Sequence, residues 1–283
     1  MRPALRELKE EITHDLFDRF AELRQAGHDN ETAYKMTVDS VGDISELIER
    51  IDTQEKKTAK VTSGMDFSKR HLRNSDFKGI QTHSSNFNMS DLAGSDFSQA
   101  DLTGSTFKYT IMEKCVFKGA NLRGCTFNTA NLRDADFTDA DLRETVFKTA
   151  DLEGAKMNGA NFTGAKITAT ALKGASIEGC IFHEVTFDAS DLSGLSFEGC
   201  IFHEVTFDAS DLSGLSFEGM ELNGVNFNYA GLKNTSFKNA VLRNAYFKTE
   251  VKHAIFDGAK MDKVTYALLK GFKAKLDNVT IID

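Results

Sequence analysis

The sequence predicts a mainly β protein: a small all-α domain at the N-terminus, followed from about Met65 by a four-sided β-solenoid. Three observations predict this class. Large apolar residues recur at every fifth position, their identities recur at every twentieth position, and the segment before the repeats instead shows the apolar spacing of helices. The chain contains a single proline, Pro3. This scarcity is consistent with long stacks of strands, because proline has no N–H to donate to a backbone ladder.

The five-residue period runs unbroken from Phe67 to Phe247. Of its 37 large positions, only Thr82 is not Leu, Phe, Met or Ile. A small residue stands two positions before most of the large ones, and glycine is frequent two positions after them. Neither the period of a helix nor the alternation of a strand gives this pattern, so an amphipathic helix and a simple sheet are excluded. Self-similarity at a fixed short period indicates a solenoid.

A 20-residue period lies beneath the five-residue one, which predicts four faces per coil. Phenylalanine fills one column almost completely, the opposite column is also mostly phenylalanine, and a column between them is nearly all leucine. Coils should stack at roughly 4.8 Å, and residues 65–263 make about ten of them. The period slips once, because Phe256 follows Phe247 by nine residues instead of ten. We expect a local bulge near Lys252 and a terminal cap over residues 264–283.

The repeated unit has the form A(D/N)LxG. It reads ADLTG over residues 100–104 and ANLRG over residues 120–124. This motif resembles the pentapeptide-repeat family, and the resemblance extends over residues 65–266, about three quarters of the chain. It implies a right-handed quadrilateral β-solenoid. Some members of that family imitate DNA toward DNA gyrase and protect it from quinolones, so the resemblance makes such a role a candidate.

Residues 1–58 predict three short helices, with a polar linker over residues 59–64. Apolar residues step by three or four from Leu5 to Leu23, and Asp43 with Glu46 forms a capping box for the third helix. The segment resembles the helix-turn-helix-associated α-helical signalling domain, through Gly27, Glu31, Ala33, Gly42 and Asp43. Two interpretations stay open: a helical cap, or a docking module for a transcription regulator.

Few residues suggest chemistry. All four cysteines fall at the small inward position and none forms a CxxC pair, so we expect core packing. His183 and His203 are 20 residues apart, beside Glu184 and Glu204, and should stack on the outside. Because this arrangement follows from a repeated sequence and no further ligand is suggested, we predict no metal site and no cofactor. We find no nucleophile with its base and no phosphate loop, and predict that the protein is not an enzyme.

Residues 180–199 and 200–219 are identical, so one coil has been copied whole. Around this duplication, from Gly174 to Leu232, there is no Lys or Arg. The candidate interaction surface, here named the acidic belt, consists of ten acids: Glu178, Glu184, Asp188, Asp191, Glu198, Glu204, Asp208, Asp211, Glu218 and Glu221. Two interpretations stay open: a solvated surface enlarged by the duplication, or an anionic surface that imitates DNA.

The net charge of −8 and the pI of about 5.5 disfavour direct binding to nucleic acid or to anionic membranes. The sequence shows no apolar run of membrane-spanning length and no signal-peptide core, so we expect a cytoplasmic protein. The leading functional hypothesis is a non-enzymatic interaction scaffold with residues 1–58 as its docking or capping module. The alternative is an acidic DNA mimic that acts on a type II topoisomerase (gyrase). A third hypothesis, a ligand-binding or catalytic protein, depends on the histidine pair alone.

Overall fold

The structure is a computed structural model that describes residues 62–282 and five residues before them: Leu23, Ala26, His28, Thr32 and Met36. The chain divides into two compact units, Met1–Lys60 and Val61–Asp283. In the first unit, Leu23, Thr32 and Met36 have helical backbone. The three predicted helices otherwise lie outside the described residues, and that domain stays a prediction.

Residues 62–282 form a β-solenoid of about eleven coils, which confirms the fold class. Its short strands are β1 (Thr62–Ser63), β2 (Thr82–His83), β3 (Val146–Lys148), β4 (Lys166–Thr168), β5 (Ile181–His183), β6 (Thr186–Asp188), β7 (Ile201–His203), β8 (Glu221–Asn223), β9 (Val241–Arg243), β10 (Lys260–Asp262) and β11 (Thr280–Ile282). They join neighbouring coils into parallel sheets of order β1–β2, β3–β4–β6 and β11–β10–β9–β8–β7–β5. One helix, α1 (Lys263–Gly271), lies in the last coil.

Each five-residue step is one extended face followed by a turn. In the step around Leu102, the Leu102 N–H donates to the Asn121 carbonyl of the next coil at 2.9 Å. The turn then closes when the Ser105 N–H donates back to the Leu102 carbonyl at 2.9 Å. Gly104 stands at the third turn position with φ of 69°, which is the conformation that a type II turn requires there. This requirement explains the glycine of the A(D/N)LxG motif.

The motif's Asp or Asn holds the same turn from its other side. The Asp101 carboxylate accepts from the Thr103 N–H at 3.2 Å, and Asn121 accepts from the Arg123 N–H at 3.2 Å. Asp and Asn side chains commonly hydrogen-bond the backbone two residues on, and this bond stabilises a turn. An Asp or Asn at the second motif position therefore stabilises the corner, whether or not the residue carries a charge.

The interior is filled by side chains in columns. The ring centroids of Phe87 and Phe107 lie 4.9 Å apart in a stacked pair, and Phe87 meets Phe97 of the opposite column edge-on at 5.9 Å. Stacked and edge-on contacts are the favoured geometries of aromatic pairs. Thr82, the exception in the pattern, is fully buried, and its hydroxyl lies 2.5 Å from that of Ser85.

The slip after Phe247 is a deletion, so the predicted bulge is wrong. A bulge adds a residue, whereas here Val251 takes the inward position one residue early and is fully buried. The register to the preceding coil shortens accordingly, since Ile255 pairs with Ser236 and β10 pairs with β9 from Lys260 to Val241. Lys252 is exposed in the turn that follows Val251. One face of this coil is therefore a residue shorter.

The last coil contains both a helix and a strand. Asp262 caps helix α1, and its carboxylate accepts from the N–H groups of Val264 and Thr265. Thr265 and Leu269 of α1 are buried. The chain then rejoins the ladder as β11, which pairs with β10 in the regular register of the ladder, from Thr280 to Lys260.

Candidate functional site

The acidic belt is distributed over all four faces of the solenoid. Glu178, Glu198 and Glu218 occupy the same place on one face in three consecutive coils. The other seven lie on the remaining three faces, most of them also one above another. Asp188 and Asp208 are half-buried, and the other eight belt residues are exposed. The structure therefore brings the ten predicted residues together as a band around the coil stack.

The belt has few positive partners. In the part of the chain that the structure describes, its ion pairs are Glu184 with His183 at 3.6 Å, Glu204 with His203 at 4.0 Å, and Glu218 with Lys238 at 3.6 Å. Two of these depend on a protonated histidine. Like charges placed directly opposite one another in a sheet are destabilising. The belt therefore stacks negative charges with little compensation.

Acids in the earlier coils are arranged differently. The Arg133 guanidinium contacts Asp151 at 3.2 Å and Glu153 at 2.6 Å, so one cation serves two carboxylates. Arg123 likewise contacts Glu144 at 2.6 Å. Each pair joins residues of neighbouring coils, so these carboxylates have a cation in contact. The same backbone frame thus carries two opposite patterns of surface charge.

Asp191 has both a structural and an electrostatic role in the belt. Its carboxylate accepts from the hydroxyl of Ser193 at 2.6 Å and from the Ser193 N–H at 3.0 Å. These hydrogen bonds, the hydroxyl's first, lower the pKa of Asp191 below its ordinary value. The position stays anionic at neutral pH, since both donors favour the charged carboxylate.

The duplicated coils carry a histidine pair beside the belt. β5 and β7 pair in register, so His183 lies directly opposite His203, with ring centroids 4.7 Å apart and planes at 69°. Both side chains are 43% exposed. Nitrogen atoms of both rings and a carboxylate oxygen of Glu204 all lie within 4.8 Å of one another. The sequence predicted the stacking beside the glutamates, and the structure gives the distance between the Glu204 carboxylate and the two rings.

The cysteines are part of the core packing. Cys115, Cys125 and Cys180 are buried, and Cys200 is half-buried. The thiols of Cys115 and Cys125 donate to backbone carbonyls of the preceding coil at 3.0 and 3.1 Å. Burial raises the pKa of both thiols to about 12. Thiols with such a pKa are poor nucleophiles at neutral pH.

An open groove of about 730 Å³ lies between two coils on the face of Glu198 and Glu218. Leu195 and Leu215 contribute to its lining, and both occupy the inward position that is small in other coils of this column, as at Ala135. Among the described residues, Ser196 forms no backbone bridge with Ser176 or Ser216, although the rest of this column is bridged. Sequence reasoning missed this groove. The groove could have been predicted from Leu195 and Leu215, which stand at an inward position that is otherwise small.

None of the described residues forms a helix with the length and the hydropathy that crossing a bilayer requires.

Two solved structures illustrate what this chain is similar to. HetL, a pentapeptide repeat protein involved in heterocyst differentiation regulation from the cyanobacterium Nostoc sp. strain PCC 7120, is similar at 21% identity and a TM-score of 0.48, over 75% of this chain and 95% of that one. QnrB1, a plasmid-mediated fluoroquinolone resistance protein, is similar at 17% identity and a TM-score of 0.45, over 74% of this chain and 94% of that one. No curated protein matches the chain.

The sequence itself matches a family model. The model described as "Pentapeptide repeat region" matches residues 90–167, 110–187 and 180–265, which together make more than half of the chain. The matched residues are those whose five-residue steps form the turns and columns of the solenoid. The chain therefore belongs to the pentapeptide-repeat family.

Proposed function

We propose that this protein is a non-enzymatic interaction protein, whose solenoid holds the acidic belt in a fixed arrangement for a basic surface of a partner protein. The observation that carries the proposal is the stacking of like charges with few counter-charges. Such stacking costs folding free energy, and the neighbouring coils show that the frame can pair its acids with arginines instead. An arrangement of charges that lowers the stability of the fold is expected where those charges bind a partner.

The frame suits this role because its surface is ordered before a partner arrives. Each belt side chain projects from a backbone tied to the neighbouring coils, as where the Gly179 N–H donates to the Glu198 carbonyl at 2.9 Å. Binding to a preorganised surface loses less conformational entropy than binding to a mobile segment. A concentrated negative charge also accelerates encounter with a basic partner and makes that rate sensitive to salt.

The proposal is tested by neutralising one column of the belt. In the variant Glu178→Gln/Glu198→Gln/Glu218→Gln, we expect partners captured by the full-length chain to be lost, with wild-type capture weakening as salt rises. A matched control, Glu113→Gln/Asp134→Asn/Asp139→Asn, removes three exposed acids outside the belt and should retain those partners. Quantitative mass spectrometry of the captured proteins is the measurement. Equal capture by both variants would contradict the proposal.

The docking role of residues 1–58 is a separate part of this proposal, with a transcription regulator as the partner. Removing residues 1–60 should abolish capture of that partner and leave the circular dichroism of the solenoid unchanged. If the shortened chain still captures the same proteins and the belt variant does not, the partner binds the belt rather than the N-terminal segment.

A second candidate function is imitation of DNA toward a type II topoisomerase such as gyrase, and charge density favours it. Ten carboxylates over about three coils at ~4.8 Å per coil give roughly one negative charge per 1.4 Å of axis. Duplex DNA carries one per about 1.7 Å. Purified protein should then inhibit gyrase supercoiling, and the Glu178→Gln/Glu198→Gln/Glu218→Gln variant should not. Unchanged supercoiling over a wide range of protein concentrations would contradict this candidate function.

A further inference from the structure

The histidine pair and its glutamates have the composition of a metal site. Imidazole nitrogen and carboxylate oxygen are ligands of Zn²⁺ and similar first-row transition ions. Ligand atoms around one tetrahedral Zn²⁺ are about 3.3 Å apart, and the atoms of His183, His203 and Glu204 already lie within 4.8 Å of one another. Because both imidazoles are 43% exposed, small side-chain rotations can bring the three atoms onto one ion.

One atom of this cluster lacks a partner. Nδ1 of His203 is shielded from solvent and makes no hydrogen bond, although the ring as a whole is partly exposed. The nearest carboxylate oxygen, on Glu204, is 4.0 Å away, which is beyond hydrogen-bond distance. Buried polar atoms in folded proteins nearly always have a partner. An ion between this nitrogen and the Glu204 carboxylate would supply it.

The cluster exists only where the coil is duplicated. In the register of the ladder, the neighbour of His203 in the following coil is Asn223, and position 163 before His183 is Thr163. A single coil therefore offers one imidazole and one adjacent glutamate. Two identical coils in register place two such pairs one above the other, which raises the number of available ligands from two to four.

We propose that His183, His203 and Glu204, with Glu184 beside them, bind one divalent transition-metal ion such as Zn²⁺ and join the two identical coils. This reverses the expectation from the sequence, in which the two histidine–glutamate pairs had no further ligand. The site is structural in kind, because it lies on the outer surface and connects two segments already paired by β5 and β7. Binding to the folded state alone stabilises that state in proportion to the logarithm of the ion's concentration above its Kd.

The test uses the full-length protein with Zn²⁺ and, for spectroscopy, Co²⁺. Equilibrium dialysis with elemental analysis should give one ion per chain for the wild type, and Zn²⁺ should raise its Tm. His203→Ala should weaken binding more than about tenfold and abolish the shift in Tm. Deleting residues 200–219 removes one histidine and one glutamate together and should have the same effect. Bound Co²⁺ should show visible absorption typical of a tetrahedral site.

The matched control is His83→Ala. His83 occupies the same position of its coil as His183 and His203, but it contacts Asp101 at 3.1 Å and has no stacked histidine. This variant should bind Zn²⁺ as the wild type does. Equal affinity in the wild type and His203→Ala, or the absence of stoichiometric binding to a wild type that is folded by circular dichroism, would overturn the proposal.

Discussion

The coils from Phe87 to Phe147 and the coils from Ile181 to Phe227 have the same fold but different internal spacing. In the earlier region, stacked phenylalanine rings within a column lie 4.9 to 5.1 Å apart. In the later region they lie 5.3 to 5.6 Å apart. The later region also lacks the backbone bridges at Ser196. The comparison shows that one backbone pattern tolerates a range of ring spacings.

The two regions also differ in their inward side chains. In one column the earlier coils carry Cys115, Ala135 and Ala155, whereas the duplicated coils carry Leu195 and Leu215. A close-packed interior has little free volume, so added methyl groups must displace a neighbour. Here the displaced element is the adjoining face, which separates at Ser196 and leaves the groove. The separated face therefore coincides with leucine at the small position.

The largest expected effect comes from comparing two deletions in the later region, one that keeps the five-residue register and one that breaks it. Deleting residues 200–219 joins Gly199 to Met220 in phase, and stability in a repeat fold is close to a sum over units, so we expect a modest loss. Deleting residues 200–217 instead turns the large inward Phe and Leu residues of every later coil outward. Four inward phenylalanines follow Phe217 before helix α1, and exposing them costs about 1.5–3 kcal/mol each, which is comparable with the whole stability of a domain.

Thermal melts followed by circular dichroism measure the stability of the two deletion variants. The chain without residues 200–219 should melt cooperatively near the wild-type temperature, and the chain without residues 200–217 should show little folded signal after the junction. If both chains melt alike, the repeat of four steps per coil does not govern packing in this region.

An intermediate effect is expected from exchanging the small and large residues of the two regions. Ala135→Leu places a leucine where the column is tight, and overpacking should lower the free energy of unfolding by about 1–3 kcal/mol. The reverse change, Leu195→Ala/Leu215→Ala, should bring the faces together and restore the bridges at Ser196. Urea unfolding measures the first change, and hydrogen exchange at the amides of Ser196 and Ser216 measures the second. Unchanged exchange in the alanine variant would show that leucine volume does not hold the groove open.

The smallest effect is expected from one belt carboxylate as the pH changes. The pKa of Asp191 is lowered in the folded state, so its stabilising contribution is present above its unfolded pKa and is lost as the pH falls through its folded pKa. Asp191→Asn keeps the turn, since Asn121 makes the same bond at 3.2 Å, and removes the titration. The variant should lose less stability than the wild type as the pH falls through this window, as measured by urea unfolding. A steeper acid loss in the variant would contradict this assignment.

Most of the solenoid could be predicted from the sequence because each coil repeats the same physical requirements. The columns through Phe87 and Phe97 follow from the 20-residue period. Thr82 keeps its inward position because the repeats on either side of it fix the five-residue register. The ten belt residues could likewise be placed around the coil stack, since the phase fixes which positions face outward.

The remainder depends on single local substitutions that a period does not encode. The slip looks like a bulge in the sequence, because Lys252 stands where a large apolar residue is due. Only the packing shows that Val251 moves inward and shortens the face. The groove depends on the volume of Leu195, and the proposed metal site depends on the side chains of His183 and His203, which approach one another only after two coils stack.

The broken bridges at Ser196 also have a mechanical consequence. When a stack of coils is pulled along its axis, every junction carries the same force, because the coils are connected in series. Parallel hydrogen bonds such as Ser236 N–H to the Leu215 carbonyl at 2.8 Å lie along that axis and share the load at their junction. The junctions on either side of Ser196 have fewer bonds to share it. Tension would therefore part the solenoid there first and leave the coils on either side folded.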